Sequence, residues 1–428
     1  MSTKYFPVAA QCETLIAEQE AKFAQLWSEL LKIFGLGGPS KNGNHGNNAS
    51  ELDLKVSDLN SLRKKTRGLF GQSKKDKNSS DNSITEPITN KSSNPEELEA
   101  VLASPSAEDL RIVFWEFVKH DDPDVLLLHF LRARKWDVQS ALTMLISALQ
   151  WRQTMEVEKL VRRGEGYAFA TGDKDFISHL QSGKAYLYGK DREERPICVV
   201  STRLHQNGEQ SLESIEKFTI YILEIGRLLR RDPIDTSCIL FDLTGFGLSN
   251  MDYGAVKFMI GCLEARYPET LGICLIHNAP WVFQGIWRVI KGWLDPVVAS
   301  KVQFTSNTTD LEKYIDISYI PVQLGGHGAW RYDYTEPVNG ENSAIISPSL
   351  DNIREKMRLD AAKWDLIRRY EKNTLQWAAE TKGVEWKALR DERKYLRECL
   401  KLNYRDLDSF VRARTYYDRC GILSLRDM

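Results

Sequence analysis

Between His277 and Phe304 the chain reads HNAPWVFQGIWRVIKGWLDPVVASKVQF. Pro280 suits the first turn of a helix, where its missing N–H is not needed. From Trp281 to Leu294, the apolar residues Val282, Phe283, Ile286, Trp287, Val289, Ile290, Trp293 and Leu294 fall right round a helical wheel. Only Gln284, Arg288 and Lys291 interrupt them. A surface helix shows one apolar stripe, and a run of about 10–14 residues is too short to span a bilayer. The pattern predicts a helix over 281–294 with apolar residues on both faces. Such a helix is either a core element or a lid between an apolar cavity and lipid. Asp295-Pro296 then stops it and caps a short helix reaching Lys301.

The rest of the chain divides by periodicity. Residues 11–34 carry Leu15, Ile16, Phe23, Leu26, Trp27, Leu30 and Leu31, mostly at helical spacing, so they predict an amphipathic helix ended by the glycines that follow. LRIVFWEFVK (110–119) is a short aromatic helix. The next helix ends near Arg132–Arg134. Asp137 caps another, with a core stripe of Val138, Ala141, Leu142, Leu145 and Leu149. After Gly164, strand-like runs appear at 185–188, 196–201, 237–242, 272–277 and 302–305. Helical patterns over 213–231 and 250–266 alternate with them, the second with Ser249 and Asp252 in capping-box spacing. Strand–helix–strand alternation with near-continuous apolar strands predicts an α/β fold with a mostly parallel sheet covered by helices. LGGHG (324–328) closes this unit. Residues 350–428 are helical and charged, with anchors at Trp364, Ile367, Leu375, Trp377, Trp386, Leu389, Tyr395, Leu396 and Leu400. Gly383 breaks them into a hairpin, expected to dock on the main body.

From about residue 37 to 94 apolar content falls and Asn, Ser, Gly and Pro dominate, a composition that does not offset the entropy of ordering. Within it, Lys55–Lys77 holds eight bases and two acids, a net of +6, around Leu69 and Phe70. This run reads as a solvated tether or as a weak site for anionic lipid. The expected organisation is an N-terminal helix (1–36), a flexible basic insertion (37–94), a helical subdomain (95–165), the sheet domain (166–335) and a C-terminal helical extension (336–428).

Composition narrows the function. Lys plus Arg number 58 against 59 Asp plus Glu, a net charge of -1, which argues against a nucleic-acid binder. No run approaches the ~18 apolar residues of a membrane span, and the N-terminus lacks a signal-peptide layout. Seven scattered cysteines without a C-x-x-C pair read as buried hydrophobes in a reducing compartment. A cytoplasmic protein that meets membranes peripherally is expected. No P-loop, nucleophile elbow, zinc-protease or dinucleotide motif is present, and the histidines have no metal spacing. His277 reads as structural. A binding protein is expected rather than an enzyme, with no cofactor and no metal.

FLRARKWDVQSAL, ILFDLTGFGLSNMDYGAVKFMI, EARYPETLG, the 278–304 stretch and IPVQLGG together resemble the CRAL-TRIO lipid-binding family. Within it they look most like the yeast phosphatidylinositol transfer proteins. The tail YRDLDSFVRARTYYD resembles a non-classical fungal branch. The resemblance covers roughly 95–330, and it implies a mobile lid helix gating one lipid cavity, with 281–294 on that lid. The helix at 11–34 resembles the family's first helix, displaced by the insertion.

Carried over residue by residue, the resemblance places an inositol-phosphate headgroup at Arg134, Lys135, Glu269, Asp295 and Lys301. A buried phosphodiester needs hydrogen-bonding cations or desolvation wins; Arg134, Lys135 and Lys301 supply them. Glu269 and Asp295 accept from inositol hydroxyls. Two positions depart from the pattern: Thr270 stands where Arg is usual, and Val298 where a hydroxyl is usual. Of the choline-lipid positions, which fall on Leu187, Cys198, Ser237 and Ile239, only Ser237 is kept. Lid and cavity are assigned to Phe283, Ile286, Trp287, Ile290, Trp293, Ser237 and Ile239.

The resemblance thus implies phosphatidylinositol transfer without phosphatidylcholine transfer. A diacyl lipid with on the order of 30 methylenes at ~0.8 kcal/mol each does not leave a bilayer unprotected. Expected partners are phosphatidylinositol, a transient membrane surface and lipid-metabolising enzymes. Expected membranes are the endoplasmic reticulum, endosomes or lipid droplets. The alternative is a carrier or sensor of squalene, a sterol or haem that regulates lipid metabolism; a purely regulatory lipid sensor and a hydrolase stand further off.

Overall fold

Many of the helix starts follow from a side chain that satisfies a free backbone N–H. Helix α1 (Ala17–Ile33) buries Phe23, Leu26, Trp27, Leu30 and Leu31, one stripe at the expected spacing. Ser106 caps α2 (Ala107–Val118) through the Asp109 N–H. Asp122 caps α3 (Pro123–Ala133), which has Pro123 in its first turn. Asp137 caps α4 (Val138–Thr154) by accepting from the Ser140 N–H at 2.7 Å. Helices α5 (Val157–Thr171) and α6 (Lys174–Ser182) lead to the sheet. The structure, a computed structural model, describes residues 15–36, 106–380 and 383–425. The expected insertion at 37–94, its basic run and Cys12 lie outside the described residues.

The sheet runs β1 (Ala185–Lys190), β2 (Pro196–Ser201), β3 (Ser237–Asp242), β4 (Leu271–His277) and β5 (Val302–Thr305), in that spatial order. Strands β2 to β5 are parallel, and β1 returns antiparallel to β2. Crossovers are α7 (Leu212–Leu228), α8 (Tyr253–Gly261), and α9 (Phe283–Lys291) with α10 (Pro296–Ser300). Side chains alternate between faces. Ile197, Val199, Cys238, Leu240, Ile273 and Leu275 pack on one side against Leu311, Ile315 and Ile320. Cys198, Ile239, Cys274 and Ile276 turn to the other, where α7, α8 and α9 lie. The closing glycine turn is forced by proximity. A Cβ on Gly326 would sit 2.1 Å from the Ile320 carbonyl oxygen.

The helical lobe joins α1 to α4 with two long C-terminal helices, α11 (Leu350–Ala379) and α12 (Val384–Val411). Gly383 begins α12, so the hairpin forms as expected. Asp124, 2% exposed, ties the lobe together. It accepts from Trp27 Nε1 and Tyr370 Oη, both at 2.8 Å, and from Arg393 Nε at 2.8 Å. Glu165, on α5, likewise receives Tyr221, Tyr334, Arg419 and the Tyr416 N–H. A charge buried this deeply needs such a set of donors.

Four sequence expectations need correction. The helix over 281–294 spans only Phe283–Lys291, and within it Phe283, Ile286 and Ile290 are buried while Gln284, Arg288, Val289 and Lys291 are exposed. Its buried stripe is single, and of the remaining apolar residues Trp281, Val282, Trp293 and Leu294 flank the helix while Val289 faces solvent. The Ser249–Asp252 box does not form, because Ser249 belongs to a short 3-10 turn and Asp252 itself caps α8. The helix to 266 changes to a π turn over Cys262–Arg266. Tyr395, expected as an anchor, is 60% exposed.

Candidate functional site

The sheet face that carries Cys198, Ile239, Cys274 and Ile276 does not meet its covering helices everywhere. A cavity of about 300 Å³ separates them, near the lower end of the usual size for ligand sites. Strand β3 contributes Ser237, Ile239 and Phe241; α7 contributes Phe218 and Ile222; α9 closes the wall with Phe283, Trp287 and Ile290. The strand face and the helix stripe on either side of the gap are apolar, which suits the apolar part of a ligand.

Of the residues assigned to lid and cavity, Phe283, Trp287, Ile290, Ser237 and Ile239 line this space. Ile286 and Trp293 do not. Ile286 is buried in the adjoining apolar cluster, and Trp293, beyond the helix end, packs edge-on against Tyr253 at 5.6 Å. Leu187 and Cys198, at the two choline-site tyrosine positions, line the cavity as apolar groups. Thr270 and Val298, the two departures, line it too, and the Thr270 hydroxyl donates to the Tyr267 carbonyl at 2.6 Å.

The charged residues assigned to a headgroup lie outside the cavity lining, and four of them fall into two groups, the first just ahead of β4 and β5. Lys301 Nζ lies 3.3 Å from Glu269 Oε2. Each of the two residues comes just before its strand, and the Lys301 carbonyl accepts from the Cys274 N–H across the β4–β5 pair. Glu269 has φ 58, a left-handed conformation uncommon for a side-chain-bearing residue and a mark of local constraint.

The second group is Arg134 with Asp295. Burial holds the Arg134 guanidinium below its ordinary value, against the pull of Asp295 and Glu264. Asp295 caps α10 through the Val297 N–H, and its own N–H donates to Glu264 Oε1 at 2.7 Å. Burial raises the Glu264 carboxyl above its usual value. Lys135 is exposed on a turn with φ 52.

Glu264 is the residue that sequence reasoning missed. It lies inside the EARYPETLG stretch, but helical periodicity through 266 gave it no role. The π turn rotates it toward Asp295; such turns recur at functional positions. His277, 1% exposed, bonds Thr305 at 2.9 Å, as a structural histidine does.

Exposed apolar side chains gather along the same segment. Trp281 is 85% exposed, Val289 46%, Val297 47% and Phe304 50%. Phe304 meets Trp287 edge-on at 5.3 Å, which joins this outer surface to the cavity wall. No helix of the described residues is long and apolar enough to cross a membrane.

The CRAL/TRIO domain model matches residues 180–326, and the CRAL/TRIO N-terminal domain model matches 95–147. A CRAL-TRIO domain-containing protein of Schizosaccharomyces pombe is 38% identical over 95% of this chain and 90% of its own. The phosphatidylinositol transfer protein CSR1 of Eremothecium gossypii is 34% identical over 96% of this chain and 98% of its own. The crystal structure of Sfh5 aligns at 15% identity and a TM-score of 0.45, over 79% of this chain and 96% of that one.

Proposed function

The chain belongs to the CRAL-TRIO domain family, and from that premise we propose that it binds phosphatidylinositol and exchanges or presents it at membranes. The observation that carries this is the cavity itself. It is an apolar space between a parallel sheet and the apolar stripe of α9, with ion-paired groups at the sheet end beside it. The similarity to a protein named as a phosphatidylinositol transfer protein supports the choice of lipid.

In this reading Lys301 and Arg134 meet the phosphate and inositol, with Glu269, Asp295 and Glu264 accepting hydroxyls. Lys301 then exchanges its contact with Glu269 for the ligand. The acyl chains follow the β3 face past Ser237 and Ile239. Leu187, Cys198 and Ile239 offer a choline headgroup no hydroxyl, which disfavours phosphatidylcholine. Helix α9 is the gate. Its inner stripe faces the cavity in water, and the exposed Trp281, Val289 and Val297, with the uncovered half of Phe304, gain an apolar environment in a bilayer. Opening therefore happens at the membrane surface and closing in water.

The test is to extract lipid from purified wild-type protein and from Lys301→Ala and identify it by mass spectrometry. Phosphatidylinositol is expected in the wild type and absent from the variant at unchanged thermal stability. Equal loading of both would remove Lys301 from the site. A sterol or squalene alone, or visible haem absorbance, would replace the reading with the neutral-ligand carrier that the apolar choline positions also favour.

A further inference from the structure

The cavity has a second polar end, opposite the Glu269–Lys301 side. It lies where β2 and β3 finish, the carboxyl edge at which open parallel sheets collect ligands. His179, Lys184 and His205 line the cavity there.

His179 is 1% exposed, and neither of its ring nitrogens has a hydrogen-bond partner. Its ring stacks on Phe218, centroids 4.9 Å apart and 10° from parallel, so the imidazole is held in place by packing alone. Lys184 is 7% exposed. Its Nζ donates to Gln210 Oε1 at 2.9 Å and lies 3.4 Å from His205 Nδ1. His205 Nε2 is 3.3 Å from Asp252 Oδ2. Lys184 makes no ion pair among the described residues. Its immediate neighbours are neutral, and Glu209 and Asp252 act on it only from a distance.

An ammonium out of water without a contacting anion, and an imidazole with no partner, are each costly in an apolar enclosure. One acceptor bearing a single negative charge would satisfy both. Resting on the reading of the cavity as a lipid site, we propose that this end is a separate head site for a long-chain carboxylate, held by Lys184 and His179 with its hydrocarbon along the same cavity. Burial pushes the Lys184 ammonium down to about 8 and the His179 imidazole down to about 3. At neutral pH Lys184 therefore keeps most of its charge, while His179 is neutral with one N–H to donate. Two donors on one side and hydrocarbon on the other match a two-oxygen head on a single chain better than a phosphodiester with its glycerol.

The experiment is calorimetric titration of delipidated full-length protein with oleate and with oleyl alcohol, for wild type, Lys184→Met and His179→Phe. The phenylalanine keeps the stack on Phe218. Oleate is expected to bind the wild type at least tenfold more tightly than oleyl alcohol. Lys184→Met should abolish that preference, and His179→Phe should reduce it severalfold. Thermal melts of both variants report whether the fold is kept. Wild-type oleate and oleyl alcohol binding alike, or oleate affinity unchanged in folded Lys184→Met, would overturn the proposal. Loss of preference in His179→Phe alone would also overturn it, since the charge would then have no role. Phosphatidylinositol loading measured in parallel separates the two readings. Loading that needs Lys301 but not Lys184 supports two head sites. Oleate binding that needs Lys184 in a protein that never loads phosphatidylinositol would overturn the previous section and leave this one standing.

Discussion

Trp281→Ala isolates the membrane step from everything else. The side chain is 85% exposed just ahead of α9, so its removal takes nothing from the folded core. A tryptophan carries roughly 200 Å² of buriable surface. About 170 Å² of that is open to solvent here, which at ~25 cal/mol per Å² is ~4 kcal/mol for full insertion into hydrocarbon. Insertion to half that depth contributes ~2 kcal/mol, or about 30-fold in partitioning. Co-sedimentation with sucrose-loaded vesicles containing anionic lipid should show that loss, and lipid transfer between vesicles should fall with it. Urea unfolding should move by no more than ~0.5 kcal/mol, as for surface changes elsewhere. Vesicle binding within twofold of wild type would refute the idea that this segment is the membrane contact.

Three other perturbations test the fold that presents the cavity. Asp124→Asn removes the carboxylate charge that is paired with Arg393, 4% exposed; about 3–5 kcal/mol of stability should be lost in urea melts, and Asp124→Leu combined with Arg393→Met should recover most of it. Gly326→Ala should cost roughly 3 kcal/mol or more by the same measurement, because its Cβ would overlap the Ile320 backbone and overpacking strains a core. Desolvation pushes His120 down to about 4 from 6.5, with Asp121 opposing and Arg227, Arg230 and Lys401 assisting. Between those two values the unfolded chain binds the proton and the folded one does not, so stability rises with pH and is lost as pH falls below about 6.5. At ~1.4 kcal/mol per unit the loss reaches ~3 kcal/mol near pH 4, and His120→Phe should flatten that part of the stability–pH curve.

What could be read from the chain beforehand follows from how local each signal is. The strands at 196–201, 237–242 and 302–305 match β2, β3 and β5 to the residue. A parallel strand covered on both faces, such as β3, announces itself as a short apolar run between turns. The caps at Asp137 and Asp295 are equally local. The extent of α9 was overestimated because Trp281, Val282, Trp293 and Leu294 are apolar for reasons other than helix burial. Asp124 and Glu165 could not be recognised as hubs, since their partners lie far along the chain and carry no periodic mark. Positions 134, 135, 269, 295 and 301 came from family resemblance rather than from spacing. The structure joins Lys301 to Glu269 and sets Arg134 near Asp295, whereas Lys135 is turned out to solvent. The second polar end of the cavity was invisible in sequence, because His179, Lys184 and His205 come from a helix, a strand start and a loop.

The cluster around Asp124 also sets the order in which this protein is able to fold. Its carboxylate waits for Tyr370, 246 residues downstream, and for Arg393, 269 residues downstream. A ribosome releases the N-terminal helices long before either arrives. Domains usually consolidate from the N-terminus as they emerge, but here the first lobe holds an acid whose neutralising bases have not yet been made. Closure of so long a loop is slow, and until then α1 to α4 remain an open half-core with exposed apolar faces. The hairpin of α11 and α12 is thus the last piece of the first lobe, and chaperone dependence during synthesis should end when it docks.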